Sequence, residues 1–167
     1  VDAFSDLLDP SGSKIVNVGS GSGPLYVAAQ PVERQKKLCN PDIVWEEILQ
    51  EFNRGVPPED PAHGGPGTDH YGLSKALLTA YTMLLAKQLA SRNISVYCLS
   101  PGYIETNMTK HWGGGKKPED GTVSLRYCLF EADASHSGWF FGSDAKRSPL
   151  HFLRNPGEPE FDGTVDW

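Results

Sequence analysis

The chain has 167 residues, 38% of them apolar, enough for one ordinary domain with its own core. The formal charge is −6, the basic residues are unclustered and no apolar run approaches a membrane span, which argues against nucleic acid and membrane as partners. Cys39, Cys98 and Cys128 lack metal or redox spacing; Cys98 and Cys128, in apolar segments, read as small buried hydrophobes, and a reducing compartment, the cytoplasm, is expected.

Residues 1–8 read as the end of a helix with Phe4, Leu7 and Leu8 on one side, broken by "DPSGS". Residues 14–18, "KIVNV", predict a strand, and the loop "GSGSG" follows it. "NPDIVWEEILQEFNRG" predicts a short amphipathic helix. It has an Asn or Asp cap, an apolar face of Ile43, Val44, Ile48, Leu49 and Phe52, and a stop at Gly55. "VPPEDPAHGGPGTD" is an irregular loop. Residues 70–92 predict the longest helix, apolar on more than one stripe and so buried on two sides. "ISVYCLS" is apolar enough for a parallel strand covered on both faces. "KPEDGTVSLRYCLFE" predicts a helix with Pro118 in its first turn, "GWFFGS" a last short strand, and residues 144–167 an irregular tail. The order of elements predicts an α/β fold: a parallel sheet with flanking helices and right-handed crossovers.

The loop after the first strand admits two readings. A dinucleotide-cradling loop opens a helix at once and leads to a second strand with an acidic end. Here the next strong element is the helix in the forties, and Gly19, Gly21 and Gly23 miss the G-x-G-x-x-G spacing. The other reading makes Ser20 a hydroxyl at a strand's carboxyl end, where open α/β sheets bind ligands. It draws on Tyr71 and Lys75 in "YGLSK". Positions i and i+4 share a helix face, and an ammonium beside a phenol favours the phenolate. Such a phenol can protonate a carbonyl oxygen, which a nearby hydroxyl holds in place. Alone, that spacing is more often a helix surface pair; Ser20 and the chain order raise it. His63 and His70 read as solvent-facing loop residues rather than metal ligands. "WGGGKK" reads as a flexible lid rather than a phosphate loop, Trp112 as a candidate pocket residue, and Trp139, Phe140 and Phe141 as core.

"IVNVGS" ending in Ser20, "YGLSK", and a strand ending in "SPGYIET" occur in this order on the expected elements. Together they resemble the short-chain dehydrogenase/reductase family. The resemblance implies the C-terminal half of a Rossmann-type doubly wound fold. Residues 1–167 would form one partial domain, with an insertion at 26–68 before the tyrosine helix and the irregular tail at 144–167. It also implies catalytic roles for Ser20, which orients substrate, Tyr71, the acid/base, and Lys75, which favours the phenolate and grips the nicotinamide ribose. Pro101, Gly102, Ile104 and Thr106 match the loop that holds the nicotinamide carboxamide. The implied reaction is NADPH-dependent reduction of a ketone or aldehyde, with NADP rather than NAD resting on resemblance alone. The insertion, the "KPEDG" helix and the end in "DGTVDW" look like the monomeric carbonyl reductases, so no family-type dimer is expected from the face the insertion covers. The family's first half, with its Gly-rich turn, has no match here. A second chain or assembly supplying it is one expectation; a catalytically inactive half-domain serving as a structural subunit is the alternative.

Overall fold

The computed structural model describes residues 6–65, 69–107, 109–111, 113 and 115–167. The expected helix end at residues 1–8 and the expected pocket residue Trp112 therefore fall largely or wholly outside the described residues, as do two positions of the expected lid. Strand β1, Lys14–Val18, pairs in parallel with β2, Ser95–Leu99, in a register from Lys14 opposite Ser95 to Val18 opposite Leu99. A two-residue β3, Phe140–Phe141, pairs in parallel with the end of β2, giving the order β1-β2-β3. These three strands and the flanking helices place the chain in the α/β class, as its pattern predicts.

All five residues of β2 are buried, because both sheet faces are covered. Val96 joins a cluster with Leu85, Ala86 and Leu89, while Tyr97 and Leu99 pack on the opposite face with Cys128, Ala132 and Phe141. That alternation is the period-2 geometry of a strand. Cys98 and Cys128 are free and fully buried, and burial raises both thiols, Cys128 to about 12.

Two short helices follow β1, α1 at Ser22–Ala28 and α2 at Val32–Leu38. Neither was expected. Contrary to the sequence expectation, the glycine loop does open a helix at once, although among the described residues no strand follows before β2. Gly and Pro make α1 intrinsically poor; packing supplies what propensity lacks, since Tyr26 and Val27 are buried against the long helix. Helix α3, Trp45–Arg54, stops at Gly55 with φ +62°, as predicted, but starts later than expected. Asn40 instead turns the chain ahead of it, accepting the Asp42 amide at 2.9 Å. Its inner face differs too: Ile48 and Glu51 are buried, whereas Val44, Leu49 and Phe52 are exposed. Glu51 can be buried because Arg34 and Lys37 of α2 reach it at 2.8 and 3.1 Å.

The longest helix, α4, spans His70–Leu89 and ends in a 3-10 turn at Ala90–Arg92. Twelve of its twenty residues are buried, since α1 and α3 cover one side and the sheet another. Among the described residues no helix is long and apolar enough to cross a membrane. The predicted helix beginning at Pro118 is a composite. A 3-10 turn at Pro118–Thr122 leads into α5, Val123–Arg126, and then into a π-turn at Tyr127–Glu131, closed by the Ala132 amide on the Tyr127 carbonyl at 2.8 Å. The 144–167 tail has no helix or strand, as expected, yet it is ordered around Arg154. That guanidinium, 3% exposed, pairs with Asp144 and reaches Ser148 Oγ at 3.0 Å and the Glu158 carbonyl at 2.9 Å.

Candidate active site

Parallel strands of matched register end side by side, so the chain leaves β1 and β2 at one carboxyl edge. The Gly19 amide donates to the Leu99 carbonyl at 2.7 Å and extends the ladder one residue beyond β1. A Cβ at Gly19 would stand 2.8 Å from Cys98 Sγ, so this crossing of β2 requires glycine. Ser20 follows, partly buried. Its Oγ accepts the Ser22 amide at 3.2 Å, which leaves the hydroxyl proton free to donate elsewhere.

The first turns of α4 carry Tyr71 and Lys75, and Lys75 reaches this edge. Lys75 Nζ donates to the Val18 carbonyl at 3.0 Å and stands 5.7 Å from the centre of the Tyr71 ring. Tyr71 is 49% exposed, so its phenol is open to a small molecule. The ammonium makes no ion pair with a described carboxylate and keeps two donors beyond the one spent on Val18. The position of the helix is set from behind. A Cβ at Gly23 would lie 3.0 Å from the Lys75 carbonyl carbon and 3.1 Å from the Ala76 amide nitrogen. Gly19 and Gly23 thus serve close approach of backbones.

The loop after β2 completes the edge. Gly102 has φ +83°, and its amide donates to Ser100 Oγ at 3.2 Å. A Cβ there would meet Ser143, just past β3, at 2.9 Å, so Gly102 packs closely against the chain leaving β3. Ile104 forms a bridge with Lys116 and rests on Gly121. Thr106, on the outer arm, is exposed, and its amide donates to Thr109 Oγ1 at 2.8 Å. The structure thus gathers Ser20, Lys75, Pro101 and Gly102 at one edge, with Tyr71 one turn before Lys75, while Ile104 and Thr106 stand further out. His63 and His70 are exposed, as expected, and Trp139 is only half-buried while Phe140 and Phe141 are core.

Three residues at this edge escaped the sequence reading. The Val18 carbonyl anchors Lys75, and no side-chain pattern marks a backbone acceptor. Gly23 seats α4, which the run of small residues could have suggested. Leu153 of the tail lies where its Cδ1 would be 2.8 Å from a Cβ on Gly21, the neighbour of Ser20. No periodicity in the tail announces that contact.

These residues fit the nicotinamide-ribose end of a dinucleotide. An ammonium with two donors uncommitted among the described residues and a glycine turn of positive φ lie at the edge where open α/β sheets bind ligands, and an exposed phenol stands 5.7 Å from that ammonium.

Residues 61–126 match the family model described as Enoyl-(Acyl carrier protein) reductase; the match contains Tyr71, Lys75 and the loop 101–106, and Ser20 lies outside it. The chain is 46% identical over 56 residues to a 3-oxoacyl-[acyl-carrier-protein] reductase FabG of Chlamydia pneumoniae, covering 34% of this chain and 23% of that protein. It is 33% identical over 144 residues to (-)-isopiperitenone reductase of Mentha piperita, covering 82% of this chain and 44% of that protein. Nodulation protein G of Rhizobium meliloti is 46% identical over 48 residues, covering 29% of this chain and 20% of the relative. The chain therefore spans less than half the length of each of these relatives. With the parallel sheet and the tyrosine–lysine turn at its carboxyl edge, these matches establish that the chain belongs to the short-chain dehydrogenase/reductase family.

Proposed function

We propose that this chain carries the proton-donating half of a carbonyl reductase that uses NADPH. The observation that carries the reading is the Lys75 ammonium, one helical turn beyond Tyr71, tied to the last carbonyl of β1 two residues before Ser20. A nicotinamide cofactor, when bound, supplies the hydride that a carbonyl carbon needs. The chain's own residues do the remainder. Ser20, its oxygen already accepting an amide, donates its proton to the substrate oxygen and fixes its position. Tyr71 gives up the phenolic proton as negative charge develops on that oxygen. Lys75 lies close enough to stabilise the phenolate left behind. Gly102, packed closely against Ser143, and its neighbour Pro101 form a shelf for the carboxamide end of the cofactor. The substrate is a ketone or aldehyde, and the long segment between Ser20 and Tyr71 supports a monomeric, carbonyl-reductase-like branch.

The test is NADPH consumption by the intact protein across a panel of ketones and aldehydes, with Tyr71→Phe beside it. Removing one general acid lowers rates by about 10²–10⁴-fold. Tyr71→Phe is expected to lose turnover on that scale while its cofactor affinity stays within a few-fold. A variant that keeps more than a few per cent of the rate would show that Tyr71 is not the proton donor.

A further inference from the structure

A cleft of about 1000 Å³ opens between the second half of α4, the start of β3 and the C-terminal tail. It is separate from the site just described. Met83 and Lys87, which line it from α4, lie more than three turns beyond Tyr71, at least about 18 Å along the axis. It adjoins β3, while Ser20 follows β1 at the opposite edge of the sheet.

Its walls are apolar and aromatic, with Trp139, Leu150 and Phe161 prominent, and its charges are unequal: Lys36, Lys87 and Arg147 against the single carboxylate of Asp42. Two of the cations are already engaged, Lys87 with Asp42 at 2.6 Å and Lys36 with Glu33 at 3.0 Å. Arg147 is not. Its guanidinium is stacked 3.9 Å from the centre of the Trp139 ring and 5.3 Å from that of Phe161, and it backs onto Gly163, where a Cβ would stand 2.6 Å from Nη1. Its side chain makes no hydrogen bond or ion pair among the described residues. Glu160 and Asp162 lie nearby, but Glu160 accepts the Arg147 backbone amide at 2.8 Å, and burial penalises the guanidinium more than the two carboxylates favour it. A flat guanidinium with covered faces and an unspent N–H edge matches a carboxylate in two parallel hydrogen bonds.

We propose that this cleft is a second ligand site, which takes a small amphipathic carboxylate. The apolar body lies along Trp139, Leu150 and Phe161, and the carboxylate pairs with Arg147. One uncommitted cation suits one negative charge, hence a carboxylate rather than a phosphate dianion.

The test is calorimetric titration of the intact protein with decanoate and with 1-decanol, which share a chain and differ in charge. Decanoate is expected to bind at least tenfold more tightly. Arg147→Gln should bring decanoate to the level of decanol. Ala90→Trp, at an exposed position on the cleft wall, should weaken both at least tenfold. Equal affinities in the native protein, no measurable binding of decanoate, or an unchanged ratio in Arg147→Gln would overturn the proposal. Should Arg147→Gln fail to fold by circular dichroism, decanoate affinity unchanged in Ala90→Trp would overturn it on its own. Reductase turnover is not read, so failure here and failure of the Tyr71 assignment are distinguishable.

Discussion

The frame that holds Lys75 and the segment between α1 and α4 share one apolar core, but the segment adds a buried ionic cluster to it. The frame of β1, α1, α4 and β2 closes by apolar packing and by backbone contact at Gly19 and Gly23. The segment of α2 and α3 places Leu38, Ile43 and Ile48 in that same apolar core and adds charge to it. Asp60 has no exposed side-chain surface and accepts from Arg54 at 2.6 Å, Arg34 at 2.7 Å and Gln30 at 3.0 Å, while Glu51 accepts from Arg34 and Lys37. A packed frame fixes positions to a few tenths of an ångström and is indifferent to pH. An ionic cluster fixes partners but fails when one charge is lost. Lys75 stands on the first kind of support, and the segment of α2 and α3 adds the second.

The contrast can be broken most forcefully at Asp60. Asp60→Ala leaves Arg34 and Arg54 without their shared carboxylate, and removing one partner of a buried ion pair costs about 3–5 kcal/mol. Hydrogen exchange should show protection lost in α2 and α3 well before α4; equal loss in α4 would make the two regions one cooperative unit. A smaller effect is expected at Gly23. Gly23→Ala forces the backbones of α1 and α4 apart, at about 1–3 kcal/mol by the usual cost of overpacking. Because the displaced atoms belong to Lys75 and Ala76, turnover should fall more than stability predicts, measured by kcat against a denaturation curve.

Acid sharpens the same comparison. Burial alone would raise the Asp60 carboxyl, but hydrogen bonds from Arg54, the Ala62 amide, Gln30 and Arg34 outweigh it and hold the group well below the usual carboxylate range. The unfolded chain takes up the proton near pH 4, where the folded chain does not, so stability rises with pH through that region. The contribution is complete above about pH 5 and drains away as the pH falls through 4 and beyond. Unfolding free energies from pH 6 to 3 should fall in the native protein and fall less in Asp60→Asn. The smallest effect belongs to the exposed Lys36–Glu33 pair, where Lys36→Ala should change stability by less than about 0.5 kcal/mol.

The legible parts of the sequence are those whose local pattern and tertiary role agree. Strands at 14–18 and 95–99, the long helix from His70 and the stop at Gly55 all follow from periodicity and glycine placement. Helices α1 and α2 were not legible, since Gly23 and Pro24 argue against a helix that packing on α4 then enforces. The inner face of α3 misled because Glu51 goes inward to meet cations on the preceding helix. At the candidate site Ser20, Tyr71 and Lys75 were singled out by spacing and resemblance, whereas the acceptor at Val18 and the neighbour of Gly21 depend on chain paths that no spacing encodes.

The central claim is that Ser20 and Tyr71 act on one oxygen with Lys75 behind them. A crystal structure of the intact protein with the oxidised cofactor and an alcohol product tests it most directly. The account predicts Ser20 Oγ and Tyr71 Oη each within about 2.6–3.2 Å of the alcohol oxygen. An alcohol held by neither hydroxyl, or by one with the other turned into a separate region, would contradict it.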